Sequence, residues 1–207
     1  FRAWCVPSWL ARTLLAAVLV SLSDCKDATA PKAISIAAVA GDTPQAEAGS
    51  FLLVPPSVKV VDGSGKGFRG VKVTFAVTGG GGSITGDTIS TNVDGIARVA
   101  SWRLGRTVGT NTLTATAAGL SGSPVLFVVT GVAGPAASMN PSDGNAQSGT
   151  AGSPVSIAPA VIVTDANANP VSGVAVTFAA TQGGGVVTGA STTTNGNGIA
   201  TVGTWTL

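Results

Sequence analysis

Few side chains here are equipped for covalent or acid–base chemistry. The 207 residues include no His and no Tyr, and Glu47 is the single glutamate. Neither a Ser-His-Asp or Cys-His relay nor a His-bearing zinc site can be assembled from them. Asp62 and Asp165 are the only carboxylates that recur in matching contexts, each at a strand end beside a turn. Paired-carboxylate hydrolysis needs two acids converging in one cleft, and nothing in the spacing suggests it. Asp165-x-Asn167-x-Asn169 spaces oxygens as a calcium loop does, but the sixth and twelfth positions, Gly and Glu in an EF-hand, are Pro170 and Val176. A turn is therefore expected, with weak calcium binding between repeats as the alternative. Asp62-Gly-Ser-Gly-Lys-Gly67 fails the phosphate-loop pattern, because Val60 and Gly67 stand where Gly and Ser or Thr are required. Trp102 and Trp205 could serve as sugar-stacking platforms, but a core aromatic is the expected role. Arg98, Arg103 and Arg106 could form a basic patch on the first copy alone, since Thr201 and Thr206 hold the first two matching places. No catalytic, cofactor-binding or metal-binding residue is expected, and the segment is not expected to be an enzyme.

One chemical modification is expected, at Cys25. Arg2 and Arg12 precede an apolar run from Leu14 to Val20, followed by Ser21-Leu22-Ser23-Asp24-Cys25. A positive start, a short apolar run and a small-residue end describe a secretory signal, and the run is too short to span a bilayer. Leu22-Ser23-Asp24-Cys25 resembles a bacterial lipobox, with Leu three residues before an acylated Cys, although Asp24 replaces the usual small residue. The alternative cut, at Ala28-Thr29-Ala30, would leave Pro31 directly after the cleaved bond. Cys5 falls within the signal, so the mature chain keeps Cys25 without a disulfide partner. Acylation gives that leftover thiol a role. The alternatives are a free thiol, or a Cys5–Cys25 bridge in an unprocessed chain.

The net charge of +2 adds little about partners. Every Lys and Arg lies between Arg2 and Arg106, and no cluster of bases is dense enough to neutralise a phosphate backbone. Nucleic acid is not an expected partner.

The elements that position these residues come from an internal duplication. Residues 56–104 align without a gap on residues 159–207 at an offset of 103, and 24 of the 49 pairs are identical. Gly70-Val-Lys-Val-Thr-Phe-Ala76 meets Gly173-Val-Ala-Val-Thr-Phe-Ala179, and Trp102 meets Trp205. A unit of about 100 residues is of domain size. Within it the apolar period is two: Val71, Val73, Phe75, Val77; Leu113, Ala115, Ala117; Val125, Phe127, Val129. Such alternation, with clusters of Gly, Asp and Asn between the runs, predicts short strands with one buried face in a β-sandwich. In Ile96–Trp102 the alternation fails, since Ala97 and Val99 share a face and Trp102 falls on the other. A bulge or a strand end is expected there.

The ordered set Val-x-Val-x-Asp, Gly-Val-x-Val-Thr-Phe, a Gly-rich turn, Thr-Asn-x-x-Gly-Ile-Ala, Trp-x-Leu-Gly and Leu-Thr-Ala resembles the bacterial immunoglobulin-like domain, group 1, of the intimin and invasin type. The first copy carries it from Val58 through Ala115, and the second as far as Leu207. The resemblance implies an all-β chain of tandem Ig-like antiparallel β-sandwich domains, used as surface stalks. The expected organisation is a signal over 1–24, a tether over 25–32, a first domain over 33–131 and a second over 134–207. The second, without counterparts of Thr112–Ala117 and Val125–Thr130, would be truncated, with more chain and further repeats to follow. The expected function is a structural and adhesive stalk at a bacterial cell envelope, as an outer-membrane lipoprotein or at the cell surface. Its membrane contact would be a lipid on Cys25, and distal domains would meet a host or cell-surface protein or glycan. The alternatives are a module binding glycan or protein through its own loops, and the stalk of an enzyme whose catalytic domain lies beyond residue 207.

Overall fold

The computed structural model describes residues 30–41 and 44–207. The expected signal, Cys25 and most of the tether lie outside the described residues. Pro31–Leu207 forms one compact unit. Every regular element described in it is a strand.

The first repeat contains β1 (Ala33–Ala40), β2 (Gln45–Glu47), β3 (Ser57–Asp62), β4 (Lys72–Gly79), β5 (Ser83–Thr85), β6 (Thr88–Ser90), β7 (Ile96–Arg98), β8 (Ser101–Arg103), β9 (Gly109–Thr116) and β10 (Val125–Val132). One sheet has the order β1-β3-β7 and the other β2-β10-β9-β4-β6, with β5 and β8 as a separate pair. All pairings are antiparallel except β2 with β10. The alternating positions behave as their period requires. Val58 and Val60 of β3, Val73 and Phe75 of β4, Leu113 and Ala115 of β9, and Phe127 and Val129 of β10 point into one shared core, while the residues between them, Lys59, Thr74, Thr114 and Val128, point outward. Fully burying each of the larger side chains contributes roughly 1.5–3 kcal/mol.

The broken alternation between Ile96 and Trp102 is a change of sheet. β7 pairs with β3, and β8, only two residues later, pairs with β5. The chain crosses at Val99-Ala100, so Ala97, Val99 and Trp102 are all buried although they do not share a strand face. Trp102 has no measurable exposure, as a core aromatic should.

The second repeat reproduces this layout at the 103-residue offset: β11 (Ser138–Asp143), β12 (Ala160–Thr164), β13 (Ala175–Thr177), β14 (Val186–Thr188), β15 (Ser191–Thr193), β16 (Ile199–Thr201) and β17 (Thr204–Thr206). Its sheets are β11-β12-β16, β13-β15 and β14-β17. Among the described residues, which run to Leu207, none matches β9 or β10, and the consequences follow position by position. β13 is shorter than β4 because its second edge has no ladder. Met139, matching the buried Ile36, is 59% exposed, and Trp205, matching Trp102, is only half-buried. The buried cluster here consists of Val163, Val176 and Ala200.

Candidate functional site

Asp62 and Asp165 head the same turn in the two repeats. In the first, the Asp62 N–H donates to Lys66 O (2.9 Å) and Gly65 N–H to Asp62 O (3.0 Å); in the second, Asp165 N–H donates to Asn169 O (2.9 Å) and Ala168 N–H to Asp165 O (3.1 Å). In each turn one carboxylate oxygen accepts the backbone N–H groups two and four residues on. Asp62 Oδ1 takes Ser64 N–H (2.9 Å) and Lys66 N–H (3.1 Å), together with the Ser64 hydroxyl (2.7 Å). Asp165 Oδ1 takes Asn167 and Asn169 N–H, both at 2.8 Å. This is the local side-chain bonding that makes Asp a turn residue.

The two turns differ in what lies beyond them. Asp62 is half-buried and Lys66 exposed, whereas Asp165 and Asn169 are each only 4% exposed. The second turn is buried against the first repeat. Asn167 Nδ2 donates to Ala48 O (3.1 Å), Asn169 Nδ2 donates to Arg106 O (2.8 Å), and Val108 N–H donates to Asn169 Oδ1 (3.0 Å). Asp165 Oδ2 accepts Gly134 N–H from the connecting segment (2.9 Å) and the Asn169 amide (2.9 Å). A backbone carbonyl and a backbone N–H have fixed polarity, so Arg106 O and Val108 N–H also fix which way the Asn169 amide faces. Four hydrogen bonds therefore join the second turn to the first repeat and the connector.

The receiving surface is built from loops. Ala48 N–H bonds Val132 O (2.8 Å) and Gly49 N–H bonds Gly105 O (2.7 Å), tying the 47–50 loop to β10 and to the loop before β9. Asn111, 1% exposed, braces the same region by accepting Gly105 N–H (2.8 Å). Gly49 is required twice over: its φ is +80°, and a Cβ there would lie 3.2 Å from Asn167 Nδ2.

Electrostatics follow from this geometry. Burial pushes the Asp165 carboxyl up, but hydrogen bonds from the Asn169 side chain and from the N–H groups of Gly134, Asn169 and Asn167 outweigh it, and the group sits below the ordinary Asp value. Asp62 is also lowered, first by the Ser64 hydroxyl and then by the Ser64 N–H. The residues of the calcium alternative, Asp165, Asn167 and Asn169, are engaged in hydrogen bonds within the protein. Both Asp165 oxygens face N–H donors, and the Asn169 amide presents hydrogens, not its oxygen, to the carboxylate. Among the described residues no group of three or more acidic or Cys side chains converges on a metal-sized site.

The remaining expected positions separate. Trp102 and Trp205 occupy matching slots, each with its indole N–H buried and unpartnered. Arg103 is engaged locally, its Nε donating to Gly49 O (2.7 Å) and its guanidinium lying 5.7 Å from the Phe51 ring centre. Two roles escaped the sequence reading. One is the junction formed by Asn167 and Asn169. The other is a buried hydroxyl repeated in both copies: Thr91 Oγ1 donates to Phe68 O and accepts Val71 N–H, and Thr194 Oγ1 does the same with Val171 O and Val174 N–H.

Two tandem repeats with Ig-like sheets, joined by a polar turn, define a structural class. No family model matches the chain, and no curated protein sequence matches it. Solved structures do match. The adhesin FdeC of Escherichia coli is 21% identical, with 86% of this chain and 57% of that one covered and a TM-score of 0.50. The D0-D1 domain of intimin is also 21% identical, over 84% of each chain, with a TM-score of 0.39. Invasin, described as a bacterial integrin-binding protein, is 19% identical over 84% of this chain and 34% of its own, with a TM-score of 0.41. The FdeC superposition carries the assignment. The chain has the all-β, Ig-like fold of bacterial adhesin domains.

Proposed function

We propose that this chain is an exported scaffold that carries Ig-like repeats in a fixed serial geometry outward from a bacterial envelope. The junction carries the reading: four hydrogen bonds hold the second turn and Gly134 in place, and their acceptors and donors on the first repeat are backbone groups that cannot swing away. A connection meant only to tether would not bury a carboxylate and a carboxamide. The likeness of the fold to FdeC, an adhesin, supports a setting at the cell surface. Cys25 is the proposed lipid attachment, and more than one acyl chain there would give stable membrane anchorage. The segment acts mechanically and not as an enzyme, and contact with a host or cell-surface protein or glycan falls to other domains.

Residual dipolar couplings test the stiffness of the joint. One alignment tensor should fit the amides of both repeats; two independent tensors would overturn the fixed geometry. Metabolic labelling with a fatty-acid analogue tests the anchor, which is lost as a proposal if Cys25→Ser labels as well as the parent chain.

A further inference from the structure

Along one flank of the first repeat, residues 51–57 run beside residues 98–103. Phe51 bridges Arg103, Leu52 N–H donates to Trp102 O (2.9 Å), Val99 N–H donates to Pro56 O (3.2 Å), and Ser57 pairs with Arg98. Leu52 is buried in the core, while Phe51 is 61%, Leu53 99% and Val54 47% exposed. Apolar side chains therefore stand in water along this strip, with an arginine paired near each end. Arg103 is held in place: its Nε donates to Gly49 O (2.7 Å) and its guanidinium lies 5.7 Å from the Phe51 ring centre. Arg98 is exposed. No acidic residue occurs in 49–57 or in 96–106. The second repeat has the same frame, with Pro154 bridging Thr206, Val155 N–H donating to Trp205 O (2.9 Å), Val202 N–H donating to Pro159 O (3.0 Å), and Ala160 paired with Thr201. There Pro154 and Ser156 stand in place of Phe51 and Leu53, and Thr201 and Thr206 in place of Arg98 and Arg103. The frame thus requires neither the exposed Phe and Leu nor the two arginines.

We propose that this flank docks on one partner, a lipid bilayer with anionic headgroups. The argument is the pairing of two chemistries on one strip. Exposed apolar side chains are stabilised by entering the acyl boundary, and cations beside them by meeting headgroup phosphates. Shape agrees with this. Leu53, at 99% exposure, projects from the surface. A protein partner would need a pocket cut to receive it, whereas a fluid bilayer needs none. Charge agrees as well. From Gly134 onward the only charged side chains are Asp143 and Asp165, so an anionic surface attracts the first repeat and not the second. The setting rests on the envelope reading, in which the stretch from Cys25 to Ala33 can extend at most about 30 Å and keeps the first repeat beside the membrane. The surface itself stands on the first repeat alone.

The test is co-sedimentation with vesicles, using the compact unit Pro31–Leu207. That unit contains neither Cys25 nor the apolar run of 14–20, so any binding belongs to the folded surface, and its failure would leave the lipid anchor untouched. Binding is expected to vesicles of equal parts phosphatidylglycerol and phosphatidylcholine, and to be about tenfold weaker or less with phosphatidylcholine alone. Leu53→Asp should weaken it about tenfold or more, and the exposure of Leu53 means that folding is not at issue. Arg98→Gln should weaken it about fivefold. Lys66→Gln makes the same change of charge at the exposed Asp62 turn and should matter less. Equal binding to the two kinds of vesicle would overturn the proposal, as would binding that Leu53→Asp leaves unchanged. A loss no greater in Arg98→Gln than in Lys66→Gln would show attraction by net charge and overturn the assignment to this flank. Absence of vesicle binding would refute the bilayer and give the strip to a protein partner.

Discussion

Replacing Asn169 by Ala tests whether the junction behaves as one unit. The side chain makes two bonds to the first repeat, with Arg106 O and Val108 N–H, and one to Asp165 Oδ2. Arg106 and Val108 are exposed residues, so water can replace the lost partners once the joint opens. The loss is then the net value of two hydrogen bonds, about 0.5–1.5 kcal/mol each, or about 1–3 kcal/mol in total. Gly134 N–H is the informative probe. It is buried and bonds Asp165 Oδ2, and its hydrogen bond does not involve Asn169. If the bonds open together, its hydrogen exchange should quicken by about 5- to 150-fold, at about 1.4 kcal/mol per tenfold. Asn195→Ala is the control. Asn195 Oδ1 accepts Asn197 and Ile199 N–H within the second repeat and takes no part in the junction bonds, so Gly134 should exchange as before. Unchanged Gly134 exchange in Asn169→Ala would show that the bonds act separately, and the unit would have to be abandoned.

Acid should open the same joint. The folded Asp165 carboxyl lies below its unfolded value, so its contribution is complete above about pH 4 and is lost as the pH falls through the folded value; Gly134 exchange, corrected for intrinsic rate, should report this. Asn169→Lys should accelerate Gly134 exchange more than Asn169→Ala, because it adds a charge at a buried site. Ala168 is a non-glycine residue at φ +66°, where its counterpart Gly65 has φ +81°. Ala168→Gly should raise stability by up to about 1 kcal/mol, read from thermal unfolding. Thr91→Val should lower stability by about 1–3 kcal/mol in urea unfolding with an unchanged m value, since Phe68 O and Val71 N–H lose their hydroxyl partner.

The sandwich was legible because its signals are local and doubled. Strand faces in β3, β4, β9 and β10 follow from a period of two, and the offset of 103 returns seven strands of the second repeat at the places it requires. The sheet change at Val99-Ala100 was legible only as a broken pattern, because alternation reports faces along one strand and is silent about which neighbour the strand joins. The matched phenylalanines show the same limit from the other side. Phe75 and Phe178 are the same residue in the same motif, yet one is fully buried and the other is not, because β9 and β10 decide the matter from outside the motif. The buried hydroxyls of Thr91 and Thr194 were not legible, since nothing in the neighbouring sequence tells a buried hydroxyl from an exposed one. The junction did leave a trace. Within matched turns, Ser64 and Lys66 give way to Asn167 and Asn169, and the only ammonium in the motif disappears at the position that becomes buried.

That exchange explains why one turn docks while the other faces solvent. The receiving surface offers two carbonyls, at Ala48 and Arg106, and one N–H, at Val108. A carboxamide supplies a donor and an acceptor from one rigid group, so Asn169 satisfies Arg106 O and Val108 N–H together. An ammonium supplies donors only. A Lys in that place could meet the carbonyl but would leave the Val108 N–H unpaired and would carry its charge out of water. The receiving groups are backbone and would be present on any copy of the fold. The choice of which repeat may follow the first is therefore written in two side chains of the incoming turn, and the shared Asp that heads both turns sets their shape without setting their partner.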